Sequence, residues 1–265
     1  MPFAANAAPR RVPLLLAEEA APDIDPAGYL VSEKYDGARA WWDGETLRFR
    51  SGGAIAAPAW FLSQLPVLPL DGELWLGRGR FEALSAAVRR HRPHDDEWRQ
   101  IRYMLFELPG APGSFMDRFD RIVSLVQHQR SPTLVAVEQT TVTDRAALQR
   151  KLRQVVDGGG EGLMLHRADA AYLSGRSPAL YKLKPVHDAE ATVLGHLPGR
   201  GKHAGRLGAL HVRNGEGVAF YLGTGFSDAE REAPPPRGAL ISYTYRGHTE
   251  AGVPRFASFL RRREV

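Results

Sequence analysis

The sequence predicts an α+β protein built on antiparallel sheets, followed by a small β-barrel. Up to Pro185, short apolar runs bounded by turn residues mix with amphipathic helical stretches, without the regular alternation of a doubly wound sheet. After Pro185 the texture changes to nearly all strand and turn. With 43% apolar residues in 265, the chain has material for one large or two modest cores.

The elements follow in order. YLVSEKY at 29–35 reads as a strand, and ARAWW at 38–42 with TLRFRS at 46–51 as a hairpin turned at Asp43-Gly44. PLDGELWL at 69–76 is another strand. Phe81, Leu84 and Val88 recur at helical spacing over 80–90. IRYMLFEL at 101–108 reads as a buried strand, and Phe119, Ile122, Val123 and Val126 mark a helix over 115–129. Thr143 is the predicted cap of a third helix whose face is Leu148, Leu152, Val155 and Val156, ended by Gly158-Gly159-Gly160. GLMLHR and ALYKLKP complete the first part. EATVLGHL, a pair of strands turned at Asn214-Gly215, and ALISYTYRGHT follow. Ser227 and Glu230 have capping-box spacing. Such a tail suits an OB fold, with the boundary near residues 185–189.

Composition bounds the function classes. Thirty-five Lys and Arg against 30 Asp and Glu give +5, which raises the prior for a polyanionic partner only modestly. The absence of cysteine excludes disulfides and thiolate metal sites. No apolar run reaches the roughly 18 residues of a membrane span, so no membrane association is expected. Ala5-Asn6-Ala7 fits a signal-peptidase site, but no apolar region precedes it, so periplasmic and cytoplasmic locations both stay open.

The common nucleotide and zinc signatures are missing. The glycine-rich stretch 195–203 lacks a Ser or Thr after Gly201-Lys202, and His91 and His94 sit in an arginine-rich loop that reads as solvated. What remains is a set of charged residues at strand ends: Lys34-x-Asp36-Gly37, Asp71-Gly-Glu73, Glu161-Gly and Lys182-Leu-Lys184. Any one of these alone is more often a turn or a solvated edge. Together they share a meaning. A lysine amine is nucleophilic only when deprotonated, and Lys182 and Lys184, on one face of a strand, supply a cationic field and meet one phosphate. Glu73, Glu161 and Asp36 are hard oxygen donors suited to Mg²⁺. The set is that of a lysine nucleotidyl-transfer site.

On KYDG, RSGG, DGEL, YMLFELP, EGLML and YKLKP the chain resembles the covalent nucleotidyltransferases: ATP-dependent DNA ligases, RNA ligases and messenger-RNA capping enzymes. VSEKYDGARAWWDG, LDGELWLGRGRFE, GGEGLMLHRADAAY, GTGFSDAER and GVPRFASFLRRR are similar to minimal bacterial DNA ligases of the ligase E type. The resemblance implies an ATP-grasp-like adenylation domain at 1–185 and an OB-fold domain at 186–265, hinged near Asp188. It implies that Lys34 carries AMP from ATP to the 5′-phosphate of a nick in double-stranded DNA, with Asp36 beside it and Mg²⁺ or Mn²⁺ as cofactor. Arg39 and Arg50 are expected near ribose, phosphates or the nick, Glu73 on ribose or metal, and Phe106 stacked on adenine. Glu161 is expected to assist the metal, and Lys182 and Lys184 to hold the α-phosphate. Arg200, Lys202 and Arg206 in LPGRGKHAGRLG, with Arg261 and Arg263 in FLRRR, are candidate DNA contacts, against a solvated loop and tail. The protein is expected to act as a monomer.

The chain departs from the family at Glu107, where an Asp is usual, and that leaves the residue without a role. An RNA ligase or GTP-using capping enzyme is the rival enzyme reading, because Lys-x-Asp-Gly selects neither base nor polynucleotide. A nucleic-acid-binding protein with a decayed site is the non-enzymatic one. An NAD-dependent ligase is disfavoured, since no cysteine is present for its zinc module.

Overall fold

The computed structural model describes residues 14–21, 23–249 and 251–263, so Ala5-Asn6-Ala7 lies outside the described residues. The chain divides into two compact units, Met1–Lys184 and Pro185–Val265. Among the described residues no helix is long and apolar enough to cross a membrane.

In chain order the first unit holds β1 (Leu15–Glu19), β2 (Tyr29–Glu33), β3 (Ala38–Trp42), β4 (Leu47–Phe49), α1 (Ala59–Leu62), β5 (Leu70–Trp75) and α2 (Phe81–Val88). There follow α3 (Asp95–Trp98), β6 (Arg102–Glu107), α4 (Phe115–Gln129), β7 (Leu134–Ala136), α5 (Arg145–Asp157), β8 (Leu163–Arg167) and β9 (Gly175–Leu183). Two sheets result, β4-β3-β5-β6-β7 and β1-β9-β8-β2.

Alternation decides their faces. Ala40 and Trp42 on β3 and Leu70 and Leu74 on β5 are buried in one core, which turns Arg39, Asp71 and Glu73 to the other side of the sheet. Val31, Leu163, Leu165 and Leu183 join Leu148 and Leu152 of α5 in a second core, which leaves Lys34, Met164 and Lys182 on the opposite face.

The sheets are not wholly antiparallel as predicted: β1 runs parallel to β9, and β6 parallel to β7. Helix α4 is the crossover that parallel pairing between β6 and β7 requires. On α4 the buried residues are Phe115, Arg118 and Ile122, whereas Phe119 and Val123 lie half-buried beside that face. The cap of α5 is Asp144 rather than Thr143; its carboxylate accepts from the Ala147 N–H at 2.7 Å. The turn after β3 spans four residues, because Asp43 Oδ1 accepts from the N–H groups of both Glu45 and Thr46.

The second unit holds β10 (His187–Pro198), β11 (Leu207–Asn214), β12 (Ala219–Leu222), α6 (Asp228–Glu232), β13 (Leu240–Tyr245) and β14 (Ser258–Arg262). One sheet, β12-β11-β10-β13-β14, curls around Val193, Leu210, Val212, Phe220, Ile241, Tyr243 and Phe259. The barrel is open at its seam. No ladder joins β12 to β14 among the described residues, and the gap is bridged by Phe259 N–H to Thr224 O at 2.9 Å and Thr224 Oγ1 to Ala257 O at 3.1 Å. Ser227 and Glu230 form the predicted capping box on α6.

Candidate active site

A cavity of about 320 Å³ opens in the first unit. Lys34, Arg39, Arg50, Glu73, Phe106, Lys182 and Lys184 all line it. Residues far apart in sequence meet there because the cavity-facing positions of β2, β8 and β9 stand in register: Ser32 opposite Met164, and Met164 opposite Lys182.

Lys34 follows the end of β2, where its backbone N–H donates to Gly162 O at 2.9 Å. Two glycines permit this close approach. A Cβ on Gly37 would come within 2.3 Å of Leu74 O, and one on Gly162, at φ +150°, within 2.4 Å of Leu183 O. The glycines of Lys-x-Asp-Gly and Glu-Gly are thus required by neighbouring backbone.

Lys34 Nζ donates to Glu161, and Lys184 Nζ pairs with the same carboxylate. Burial pushes the Glu161 carboxyl up, but its hydrogen bonds to Lys184 and Lys34 outweigh that and hold it below the ordinary range. Glu73 behaves oppositely: burial pushes its carboxyl up to about 8, against the pull of Lys34 and Arg39. Lys182 pairs with Glu19 at 2.9 Å.

Arg39 is less free than predicted. Its Nε and Nη2 donate to Asp71 at 3.0 and 2.6 Å, and Nη2 also to Leu15 O at 2.7 Å. Asp71 is fully buried, so a guanidinium that reads in sequence as a phosphate contact serves first to neutralise a buried carboxylate. Its charged head also lies 5.3 Å from the centre of the Phe106 ring. Asp36, predicted beside the nucleophile, is exposed and is not among the residues lining the cavity; the chain turns outward there before Gly37.

Glu107 acquires a role. It is buried and takes a bidentate pair from buried Arg118 at 2.6 and 2.8 Å. His166 lines the cavity next to it, stacked on Phe115 with ring centres 3.6 Å apart. Burial, with the nearby Arg118 charge, pushes the imidazole down to about 3. No local pattern marks Arg118, because one arginine in an amphipathic helix reads as solvated, nor Gln139, which lines the cavity from a stretch without periodicity.

A shallower depression shares Arg39, Arg50 and Glu73 with the cavity and adds Ser51, Phe81 and Arg89. In the second unit the basic candidates do not behave alike. Arg206 is held by Asp228 at 3.5 Å and Glu232 at 3.0 Å, and Arg263 by Glu190 at 3.0 Å. Arg200, Lys202 and Arg261 are exposed and carry no ion pair among the described residues.

Of the carboxylates that line the cavity, Glu33 is taken by Arg78 and Glu107 by Arg118, which leaves Glu73; Glu161 is not a lining residue but pairs with Lys34 and Lys184, which are, and no cluster of three or more potential metal ligands occurs among the described residues. That donor set fits Mg²⁺ or Mn²⁺, which commonly take one or two carboxylates and complete their shell with phosphate oxygens and water.

Comparison with known proteins finds DNA ligases. Residues 198–263 match the family model described as DNA ligase OB-like domain. A DNA ligase of Haemophilus influenzae is 35% identical, the alignment covering 89% of this chain and 87% of that protein. A solved structure from a structure-function study of Lig E DNA ligases is 46% identical, covering 94% of this chain and 98% of that one, with a TM-score of 0.79. The Chlorella virus DNA ligase-adenylate, at 21% identity, 97% and 99% coverage and a TM-score of 0.56, shares the fold.

Proposed function

Given that this chain belongs to the DNA ligase family, we propose that it is an ATP-dependent ligase that seals nicks in duplex DNA through AMP carried on Lys34. The observation that carries this reading is the convergence of Lys34, Lys182, Lys184, Glu73 and Phe106 on one cavity.

In the first step Lys34 gives its proton to water, its hydrogen bond to Glu161 holds the amine in place, and Nζ attacks the α-phosphorus of ATP. A nitrogen–phosphorus bond forms, pyrophosphate departs, and Lys182 and Lys184 balance the charge on the phosphate oxygens. In the second step a nick 5′-phosphate takes the AMP and frees Lys34. In the third the 3′-hydroxyl attacks that adenylated phosphate, forms the phosphodiester and expels AMP. Arg50, which touches both the cavity and the shallower depression, bridges nucleotide and nick in this reading. When bound, Mg²⁺ or Mn²⁺ held by Glu73 and Glu161 neutralises charge on the phosphates.

Residues 1–185 act as the adenylation domain and 186–265 as the OB domain, with exposed Arg200, Lys202 and Arg261 as the duplex contacts of the latter. The working form is a monomer. Ala5-Asn6-Ala7 and the ligase E resemblance support a periplasmic location; recovery of the native product with cytoplasmic markers contradicts it.

The test is incubation with Mg²⁺ and α-labelled ATP or GTP, followed by a chase with nicked DNA or RNA. Label from ATP, discharged by nicked DNA, is expected. No label on the wild type, or equal label on Lys34→Ala, contradicts the reading. Label from GTP or discharge by RNA favours the capping-type or RNA-ligase alternative.

A further inference from the structure

We propose that Arg78 is a positioning residue for AMP transfer, holding the segment that carries Lys34 against the segment that carries Glu161; the inference rests on the ATP-ligase reading above. Arg78 lies between β5 and α2, five residues beyond Glu73. Its Nε and Nη2 donate to the two carboxylate oxygens of Glu33 at 2.9 and 2.7 Å, and its Nη1 donates to Gly158 O at 2.8 Å. Glu33 immediately precedes Lys34, and Gly158 stands three residues before Glu161. One guanidinium thus joins three stretches of chain, each carrying a residue of the proposed site.

Glycines make room for this contact. A Cβ on Gly158 would come within 2.5 Å of Arg78 Nη1, and one on Gly160 within 2.9 Å of Glu33 Oε1. The backbone at Gly158 does not itself call for glycine: its φ of −80° and ψ of 7° are close to those of Arg89 at the end of α2, −91° and −5°. The Gly158-Gly159-Gly160 run that ends α5 therefore also admits the pair between Arg78 and Glu33. Nearby, the Tyr35 and Trp75 rings meet edge to face with centres 4.9 Å apart, which ties the residue after Lys34 to the end of β5.

The chemistry of the step makes such a brace useful. Lys34 and Glu161 are drawn together by the backbone bond from Lys34 N–H to Gly162 O and by their own ion pair. Forming the lysyl-AMP bond takes the proton and the charge from Nζ, so that ion pair is lost as the nitrogen–phosphorus bond forms. The contacts of Arg78 involve no reacting atom and persist through the step. They keep Nζ aimed at the α-phosphorus while its own anchor is given up, and a misplacement of about 1 Å there costs about 100-fold in rate. The third step needs no lysine nucleophile, because the 3′-hydroxyl attacks a phosphate that is already adenylated. A brace on Lys34 therefore acts on AMP transfer to and from the lysine and not on the sealing of an adenylated nick.

The experiment measures two rates on each preparation of the full chain, after pyrophosphate has stripped any bound AMP. One is lysyl-AMP formation from α-labelled ATP and Mg²⁺ over a range of ATP concentrations; the other is sealing, without ATP, of a nick that already carries 5′-AMP. Arg78→Ala is expected to lower the saturating rate of lysyl-AMP formation about tenfold or more, with half-saturating ATP changed by less than about threefold and sealing near the wild-type rate. Gly158→Ala deletes no hydrogen-bonding group; by displacing the guanidinium it should reproduce that pattern, and it carries the test should Arg78→Ala fail to fold. Arg78→Lys keeps the charge but not the fork, and should fall between wild type and Arg78→Ala. Lysyl-AMP formation within about twofold of wild type in either folded variant, or sealing lowered as much as AMP transfer, overturns the inference while leaving the ligase reading intact. A wild type that takes no label from ATP overturns the ligase reading itself.

Discussion

Two kinds of charged contact stand within one unit and do opposite work. Asp71 with Arg39, and Glu107 with Arg118, are bidentate pairs whose carboxylates are buried. Around Lys34, by contrast, Glu161 is shared between two lysines, each about a quarter exposed, and Glu73 faces the same cavity. Both sets join carboxylates to basic side chains, arginine in the first and lysine in the second. In the first, saturated geometry fixes the walls of the site. In the second, charges of like sign are held around one carboxylate, an arrangement that an anionic ligand improves.

The largest effects should separate the two sets. Lys34→Ala is expected to reduce adenylation to background while leaving the thermal midpoint within a degree or two of wild type; a large drop in that midpoint would make Lys34 a framework residue. Arg118→Ala should do the reverse first. It strands Glu107 in the core and is expected to cost about 3–5 kcal/mol of stability, measured by urea unfolding. A loss near zero would remove the framework role.

Lys184→Ala belongs between these. One cation fewer at the phosphate should lower the adenylation rate about 100-fold, with stability little changed because its partner Glu161 keeps Lys34. A rate equal to wild type would show that Lys184 only balances Glu161.

The smallest effects are in pH. Glu73 holds its proton up to about 8 in the folded chain against an ordinary 4.5. Across that window the folded state binds more protons than the unfolded one, so Glu73 lowers stability progressively as pH rises through it. Glu73→Gln should flatten the alkaline side of the stability curve of the ligand-free protein, and an unchanged slope would contradict the burial argument. His166 has the opposite sign. Its value falls from 6.5 to about 3, so its contribution is present above 6.5 and is lost as pH falls toward 3. In His166→Phe, which keeps an aromatic ring against Phe115, that acid loss should shrink; an acid limb identical to wild type would argue against it.

These sets were not equally legible in the sequence. Lys34, Glu73 and Glu161 each have a glycine within three residues, and Lys182 and Lys184 alternate at the end of β9, so local pattern identifies strand and turn there and the five could be read together. The framework pairs join positions 32 and 11 residues apart through strand register and helix packing, which no local pattern encodes. Arg39 was therefore assigned to ligand and Glu107 to nothing. Strand β1 was missed for the same reason: its partner β9 lies at the far end of the first unit, and five residues with two charges carry little periodicity. Gln139 was invisible because its position depends on the single bridge between Val31 and Thr140.

In this reading only one of the lysines on the cavity is a nucleophile, although Lys34 and Lys184 touch the same carboxylate. Peptide mapping by mass spectrometry after incubation with Mg²⁺ and ATP distinguishes them. AMP on the peptide containing Lys34, and none on the peptide containing Lys182 and Lys184, is the predicted result; AMP on Lys182 or Lys184 in the wild-type protein would contradict it.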